Sequence, residues 1–334
     1  MQAFDSEKYL KIQSSEILKK ISENNMKLYL EFGGKLLDDY HASRVLPGFL
    51  PDLKIKLLES LKDDIEVILT INTDNIINNK KREDYNITYD LELIRLINIL
   101  NKKNILVNSI VITKYIDNVV VNKYIDKLKK LNLNVYKHYL IDNYPNDIDN
   151  ILSSVGFGKN DYIPTTKKII IVTAPGAGSG KLAVCMSQVY NDSVNNIKSI
   201  YAKFETFPVW NLSIDHPVNL AYEAATADIN DINMIDEFYF KKYNKIVTNY
   251  NRDLQAFPLI NKLLYNIYNK EIYSSPTEMG VNMVGFCFND EEKIIKASKK
   301  EVIRRYNKAV EDYNNNKIDI TVLNRIKIIV RSLK

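Results

Sequence analysis

The chain has 334 residues, 46% hydrophobic and 26% charged, with a net charge of +5, as expected of a globular protein with a substantial core and about two domains. Its basic residues are spread along the chain rather than gathered in a stripe, so nucleic acid is not the expected partner. Two cysteines, Cys185 and Cys287, exclude a disulfide framework and a four-thiolate zinc site, and no apolar run reaches the roughly 18 residues of a membrane-spanning helix.

Apolar positions Tyr9, Leu10, Ile12, Ile17, Leu18 and Ile21 predict a helix over 6–22. A strand follows at Lys27–Phe32, closed by Gly33 and Gly34. A helix is predicted at 51–62, then a strand at Glu66–Ile71. A helix near 89–101, a strand at 105–113, a helix near 118–131 and a strand at 135–140 continue the alternation. Such alternation indicates βαβ units and a parallel sheet. Turn residues at 144–147 and 156–158 mark a boundary near 150. The expected fold is α/β, with two Rossmann-like or P-loop-like parallel-sheet domains, 1–150 and 151–334, the second ending in a helical segment. In that half, Ser199–Phe204 reads as a strand. Helical patterns fill 217–227, 252–268, 290–315 and 319–333.

The most informative stretch is Ile169 to Lys181. An uncharged apolar run flows into Ala174-Pro175-Gly176-Ala177-Gly178-Ser179-Gly180-Lys181, followed by the helical pattern from Leu182. Strand, glycine loop, lysine and helix form the layout of a phosphate-cradling loop. Backbone N–H groups and the helix dipole favour an anion there, and alternating glycines permit the backbone that gathers those groups. Gly176, Gly178, Ser179, Gly180 and Lys181 are the expected phosphate contacts. The pattern departs from the standard phosphate loop: Pro175 stands where a Gly is usual, and Leu182 where Ser or Thr would hold Mg²⁺. The same residues also suit a purely structural turn.

Gly33-Gly34 is followed by Asp38, Asp39, His41 and Arg44, a crowd of acids, imidazole and guanidinium on a loop after a strand. Asp38 and Asp39 are candidate metal ligands, Asp38 and His41 candidate catalytic groups, and Arg44 a candidate clamp for phosphate or carboxylate. The alternative is a polar loop with ordinary ion pairs. A third group follows the strand at 199–204. Glu205 is a candidate catalytic and Mg²⁺-organising carboxylate. Trp210 would either stack on a base or anchor the core. His216 before Pro217 would either join a site or cap a helix. Arg252, Thr277 and Asn282 lie on polar loop-to-helix stretches.

The runs Tyr29-Leu30-Glu31-Phe32-Gly33-Gly34-Lys35, Asp38-Asp39-Tyr40-His41-Ala42-Ser43-Arg44-Val45-Leu46-Pro47-Gly48-Phe49, Thr173-Ala174-Pro175-Gly176, Lys203-Phe204-Glu205-Thr206-Phe207-Pro208, Pro217–Asp228 and Pro276–Met283 resemble the bacterial uncharacterised protein family 0371, also called domain of unknown function 1846. The resemblance covers essentially the whole chain. It implies that Pro175 is a family trait, that relatives continue beyond Lys334, and that no activity is established; some members carry the label metal-dependent hydrolase.

These readings converge on a cytoplasmic protein that binds a nucleotide or other small phosphorylated ligand, with Mg²⁺ as companion ion, no membrane partner, and homo-oligomer formation left open. One alternative is a metal-dependent hydrolase using Asp38, Asp39, His41 and His216. Another is a non-catalytic ligand-binding or assembly protein in which the glycine loop is only a turn. The apolar face of Val322, Ile326, Ile329 and Val330 is expected to be exposed or covered by another subunit.

Overall fold

The computed structural model describes residues 2–82 and 85–333. The first part of the chain runs α1 (Ser6–Asn24), β1 (Lys27–Phe32), α2 (Tyr40–Val45), α3 (Leu53–Ser60), β2 (Ile65–Asn72) and α4 (Thr73–Ile77). A short hairpin of β3 (Lys81–Arg82) and β4 (Ile87–Thr88) leads into α5 (Tyr89–Lys102), β5 (Val107–Thr113), α6 (Val119–Lys130), β6 (Asn134–Lys137) and α7 (Ile148–Ile151). Then come β7 (Ile169–Thr173), α8 (Lys181–Val194), β8 (Ser199–Phe204) and α9 (Pro217–Ala225). A second hairpin, β9 (Asn233–Ile235) and β10 (Thr248–Tyr250), encloses α10 (Glu237–Tyr243). The chain continues with α11 (Asn251–Tyr268), α12 (Pro276–Met279), β11 (Gly280–Val281), α13 (Glu291–Asn314) and α14 (Ile320–Ser332).

Seven strands form one parallel sheet in the order β11-β8-β1-β7-β2-β5-β6. The expectation of two separate sheets is not met: β1, from the first half of the chain, lies between β7 and β8, from the second. The reason is legible in β2 and β7. Every residue of both strands is buried, so each needs strand neighbours at both edges and helices on both faces.

Parallel crossovers are right-handed. The steps from β1 to β2, β5 and β6 go one way along the sheet, and those from β7 to β8 and β11 go the other. Their connecting helices therefore cover opposite faces. The loops leaving β8, β1, β7 and β2 part alternately to the two faces, and the carboxyl ends of these strands are where open α/β sheets commonly hold ligands. Inside the sheet, Phe32 and Phe204 stack with ring centres 4.0 Å apart, locking β1 against β8 at that edge.

The helical C-terminal segment packs back onto the rest. Helix α13 buries Ile294, Ser298, Glu301, Val302 and Ala309, a stripe at helical spacing, and rests on α2, α9 and α14. Helix α14 buries Ile326 and Ile329 against α13 and α9, and Val322 and Val330 pack partly buried on the same core. The expectation of an uncovered α14 face is thus corrected: the seat comes from two helices of the same chain. Among the described residues no helix is long and apolar enough to cross a membrane.

Candidate functional site

The glycine loop joins the carboxyl end of β7 to the N-terminus of α8. Gly178 and Gly180 take φ of +75° and +78°, the left-handed region that costs glycine little. The loop's carbonyl groups turn inward and are used. Ser179 Oγ donates to Gly176 O at 2.9 Å, Asn72 Nδ2 donates to Gly178 O at 3.3 Å, and Thr113 Oγ1 donates to Ser179 O at 3.0 Å. Among the described residues nothing accepts from the amides of Gly178, Ser179 and Gly180, and no side chain caps α8. Ala177 and Gly178 are exposed, and a Cβ at Gly178 would meet no atom within 4 Å. Ser179 is fully buried, so the open side of the loop is formed by Ala177 and Gly178, beside the N-terminus of α8. Gly176 is closed in by contrast: a Cβ there would overlap the Tyr89 hydroxyl.

Lys181 begins α8, and its Nζ lies 3.9 Å from Glu31 Oε1 on β1. Glu31 also accepts from the Tyr201 hydroxyl at 2.9 Å. In the sheet register Glu31 stands opposite Lys203 of β8, which puts both on one face. Lys203 Nζ lies 2.7 Å from Glu205 Oε1 and also contacts Asp253 and the Tyr250 hydroxyl. Tyr250 in turn sits 3.1 Å from Glu205 Oε1. Glu205, at the carboxyl end of β8, abuts Gly33, where a Cβ would lie 3.2 Å from Glu205 Oε2.

Burial pushes the Glu205 carboxyl up to about 7, against the opposing pull of Lys203. Burial disfavours the Lys203 ammonium, but Asp253 and Glu205 hold it well above its ordinary value. Lys203 thus stays charged, and the buried Glu205 carboxyl holds its proton more tightly than an ordinary carboxylate. A carboxyl poised this way beside a crevice can take or give a proton there.

Asp38 and Asp39 part company. Asp38 lies 2.6 Å from Arg95 Nη2, and Arg95 also reaches Glu92. Asp39 caps α2 by accepting from Ala42 N and pairs with Lys54 Nζ at 2.9 Å. Burial works against the Asp39 charge, yet Lys54 holds the carboxyl below its usual range. His41 and Arg44 turn to Glu301 on α13, at 3.3 Å through Nδ1 and 2.8 Å through Nε. The expected metal group of Asp38, Asp39 and Glu205 is not assembled: each carboxylate faces its own cation, and among the described residues no three His, Cys, Asp or Glu side chains are placed to hold an ion.

Most other sequence candidates serve the fold. His216 caps α9, its Nδ1 accepting from Val218 N at 3.2 Å, and its Nε2 lies 3.6 Å from Glu291. The Trp210 ring packs over Gly280, where a Cβ would come within 2.7 Å of it. Arg252 binds Asp231, Thr277 donates to Asp236, and Asn282 donates to Pro208 O. Both cysteines are free and buried. The sequence pattern assigns no specific role to Glu31, Lys203, Asp253 or Tyr250. One signal was available: Lys203 and Glu205 are two apart on a strand and so share a face.

A family profile, "Domain of unknown function DUF1846, N-terminal", matches residues 2–334. The chain belongs to this family. The UPF0371 protein of Streptococcus pneumoniae strain Hungary19A-6 is 52% identical over 332 residues, covering 99% of this chain and 67% of the relative. The UPF0371 protein of Streptococcus thermophilus strain ATCC BAA-491 / LMD-9 matches with the same identity and coverage. The DUF1846 family has no established function, so the crevice must be read from its own chemistry.

Proposed function

We propose that this DUF1846 chain binds a small phosphorylated ligand, of the nucleotide class first, in the crevice at the carboxyl ends of β8, β1, β7 and β2. The phosphate would sit on the amides of Gly178, Ser179 and Gly180, with Lys181 as the point charge on its oxygens. The single observation that carries this reading is the loop's division of labour. Its carbonyls are taken by Asn72, Thr113 and Ser179, while the amides of Gly178, Ser179 and Gly180 at the α8 N-terminus have no hydrogen-bond partner among the described residues. A purely structural turn has no need to leave those donors unpaired.

Glu205 and Lys203, across β1 from the loop, supply the proton-handling group for a ligand in the same crevice. Residues 38, 39 and 205 do not form a preformed Mg²⁺ site, so no step is assigned to a metal. A metal-dependent hydrolase built on Asp38, Asp39, His41 and His216 finds less support, because each of these has a partner that serves packing or capping.

A thermal-shift screen of ATP, ADP, pyrophosphate and sugar phosphates, each with and without Mg²⁺, tests the proposal. At least one should stabilise the chain, and Lys181→Ala should weaken its binding by about 1–3 kcal/mol, the range for losing a charged hydrogen-bond partner. Phosphorylated compounds that all leave the melting temperature unchanged would overturn it.

A further inference from the structure

Glu301, with its side chain 1% exposed, is ringed by four basic groups. Arg44 Nε donates to it at 2.8 Å, Arg304 through Nε and Nη2 at 2.7 Å each, Arg305 Nε at 3.1 Å, and His41 Nδ1 lies at 3.3 Å. Burial works against the Glu301 charge, but Arg304, His41 and Arg44 hold the carboxyl far below its usual range. One carboxylate thus faces three permanent cations, an excess of two positive charges.

The donors are not used up. Arg44 and Arg305 each commit only Nε, and their terminal nitrogens find no acceptor among the described residues. His41 Nε2 is buried without a partner. The side chains of Arg44, Arg304 and Arg305 are 38%, 44% and 25% exposed, so solvent reaches all three. Gathering like charges costs energy unless an anion offsets it. Guanidinium forks match the oxygens of phosphate in pairs.

We propose that Arg44, Arg304 and Arg305, oriented by Glu301, form an anion site for a phosphate-class dianion at the junction of α2 and α13. Glu301 holds Arg44 and Arg305 by Nε alone, leaving their terminal nitrogens unpaired, and holds Arg304 by Nε and Nη2. This site is separate from the glycine loop and stands whether or not that loop binds phosphate. Its occupant is a phosphate group, free or carried on a larger molecule.

The test is a titration of the intact 334-residue chain with sodium phosphate against sodium chloride at matched ionic strength, followed by calorimetry and melting temperature. Glucose 6-phosphate as a parallel probe separates a carried phosphate from a free one. In the Lys181→Ala variant, phosphate binding at the arginine site should persist, whatever becomes of binding at the glycine loop. Arg305→Gln should weaken it by about tenfold or more, as for loss of a charged hydrogen-bond pair. Arg44→Lys, which keeps the charge and loses the fork, should weaken binding less than Arg305→Gln while melting as the wild type does; it keeps the test open should Arg305→Gln unfold. No binding by the wild type, or binding by both arginine variants as tight as the wild type's, would leave the cluster as an ion-pair hub and overturn the proposal. Loss in Lys181→Ala alone would overturn it too, and would place the anion on the loop.

Discussion

Lys181 Nζ and Glu31 Oε1 lie 3.9 Å apart, both largely buried, linking the first turn of α8 to β1. The lysine expected to meet phosphate is thus held by a carboxylate that a phosphate would have to displace or share. Glu31 holds the Lys181 ammonium toward β1.

Replacing Glu31 with Gln removes that competitor and keeps the shape. Phosphate-ligand affinity should rise by roughly 1 kcal/mol, about fivefold in Kd, as read by calorimetry beside the wild type. A fall in affinity would mean that Glu31 itself contacts the ligand.

The raised Glu205 carboxyl gives a pH signature. The folded chain binds this proton up to about 7, and the unfolded chain releases it near the ordinary carboxylate value, so folding takes up a proton between the two. The Glu205 contribution to stability is full below the ordinary carboxylate range and is lost as pH rises through 7. Glu205→Gln should therefore flatten the melting-temperature profile between pH 5 and pH 8, gaining most at the alkaline end. Parallel profiles for variant and wild type would remove Glu205 from the proton-handling role.

The two loop glycines should respond differently to alanine. At Gly176 the added methyl overlaps Tyr89, and overpacking of this kind costs about 1–3 kcal/mol. At Gly178 the space is open, leaving only the left-handed backbone, at about 1–2 kcal/mol. Gly178→Ala should keep the fold and lose ligand, since its methyl points into the open face. Chemical denaturation and ligand titration together separate the two effects.

Ile326 and Ile329 are core residues in this chain, 5% and 3% exposed. Changing either to Ala should cost about 2–5 kcal/mol, measured by urea unfolding. Ile328, on the same helix and 62% exposed, should change stability by less than about 0.5 kcal/mol.

The long elements were legible because each carries its period in its own residues: α5, α6, α11, α13, β2 and β7 lie within a few positions of expectation. The short ones were not. Helices α2 and α4 and the hairpins β3/β4 and β9/β10 are too brief to show a period, and tertiary contacts hold them. The single sheet was hidden because insertion of β1 between β7 and β8 is a long-range pairing. The same holds for the site. Gly176 to Lys181 announced themselves by spacing, and Glu205 by its place after a strand. Glu301 is one acid in a charged helix, and Arg44, which it holds, lies 257 positions away. The ion pairs of Asp38 with Arg95 and of Asp39 with Lys54 join residues distant in sequence, so their spacing does not announce them.

The most direct measurement is amide NMR of the ¹⁵N-labelled chain during a pyrophosphate titration. The amides of Gly178, Ser179, Gly180 and Lys181 should move together, saturate at one Kd, and shift downfield as their N–H groups donate to the ligand's oxygens. Should these four stay fixed while pyrophosphate saturates the protein elsewhere, the glycine loop is a turn and the crevice is not a phosphate site.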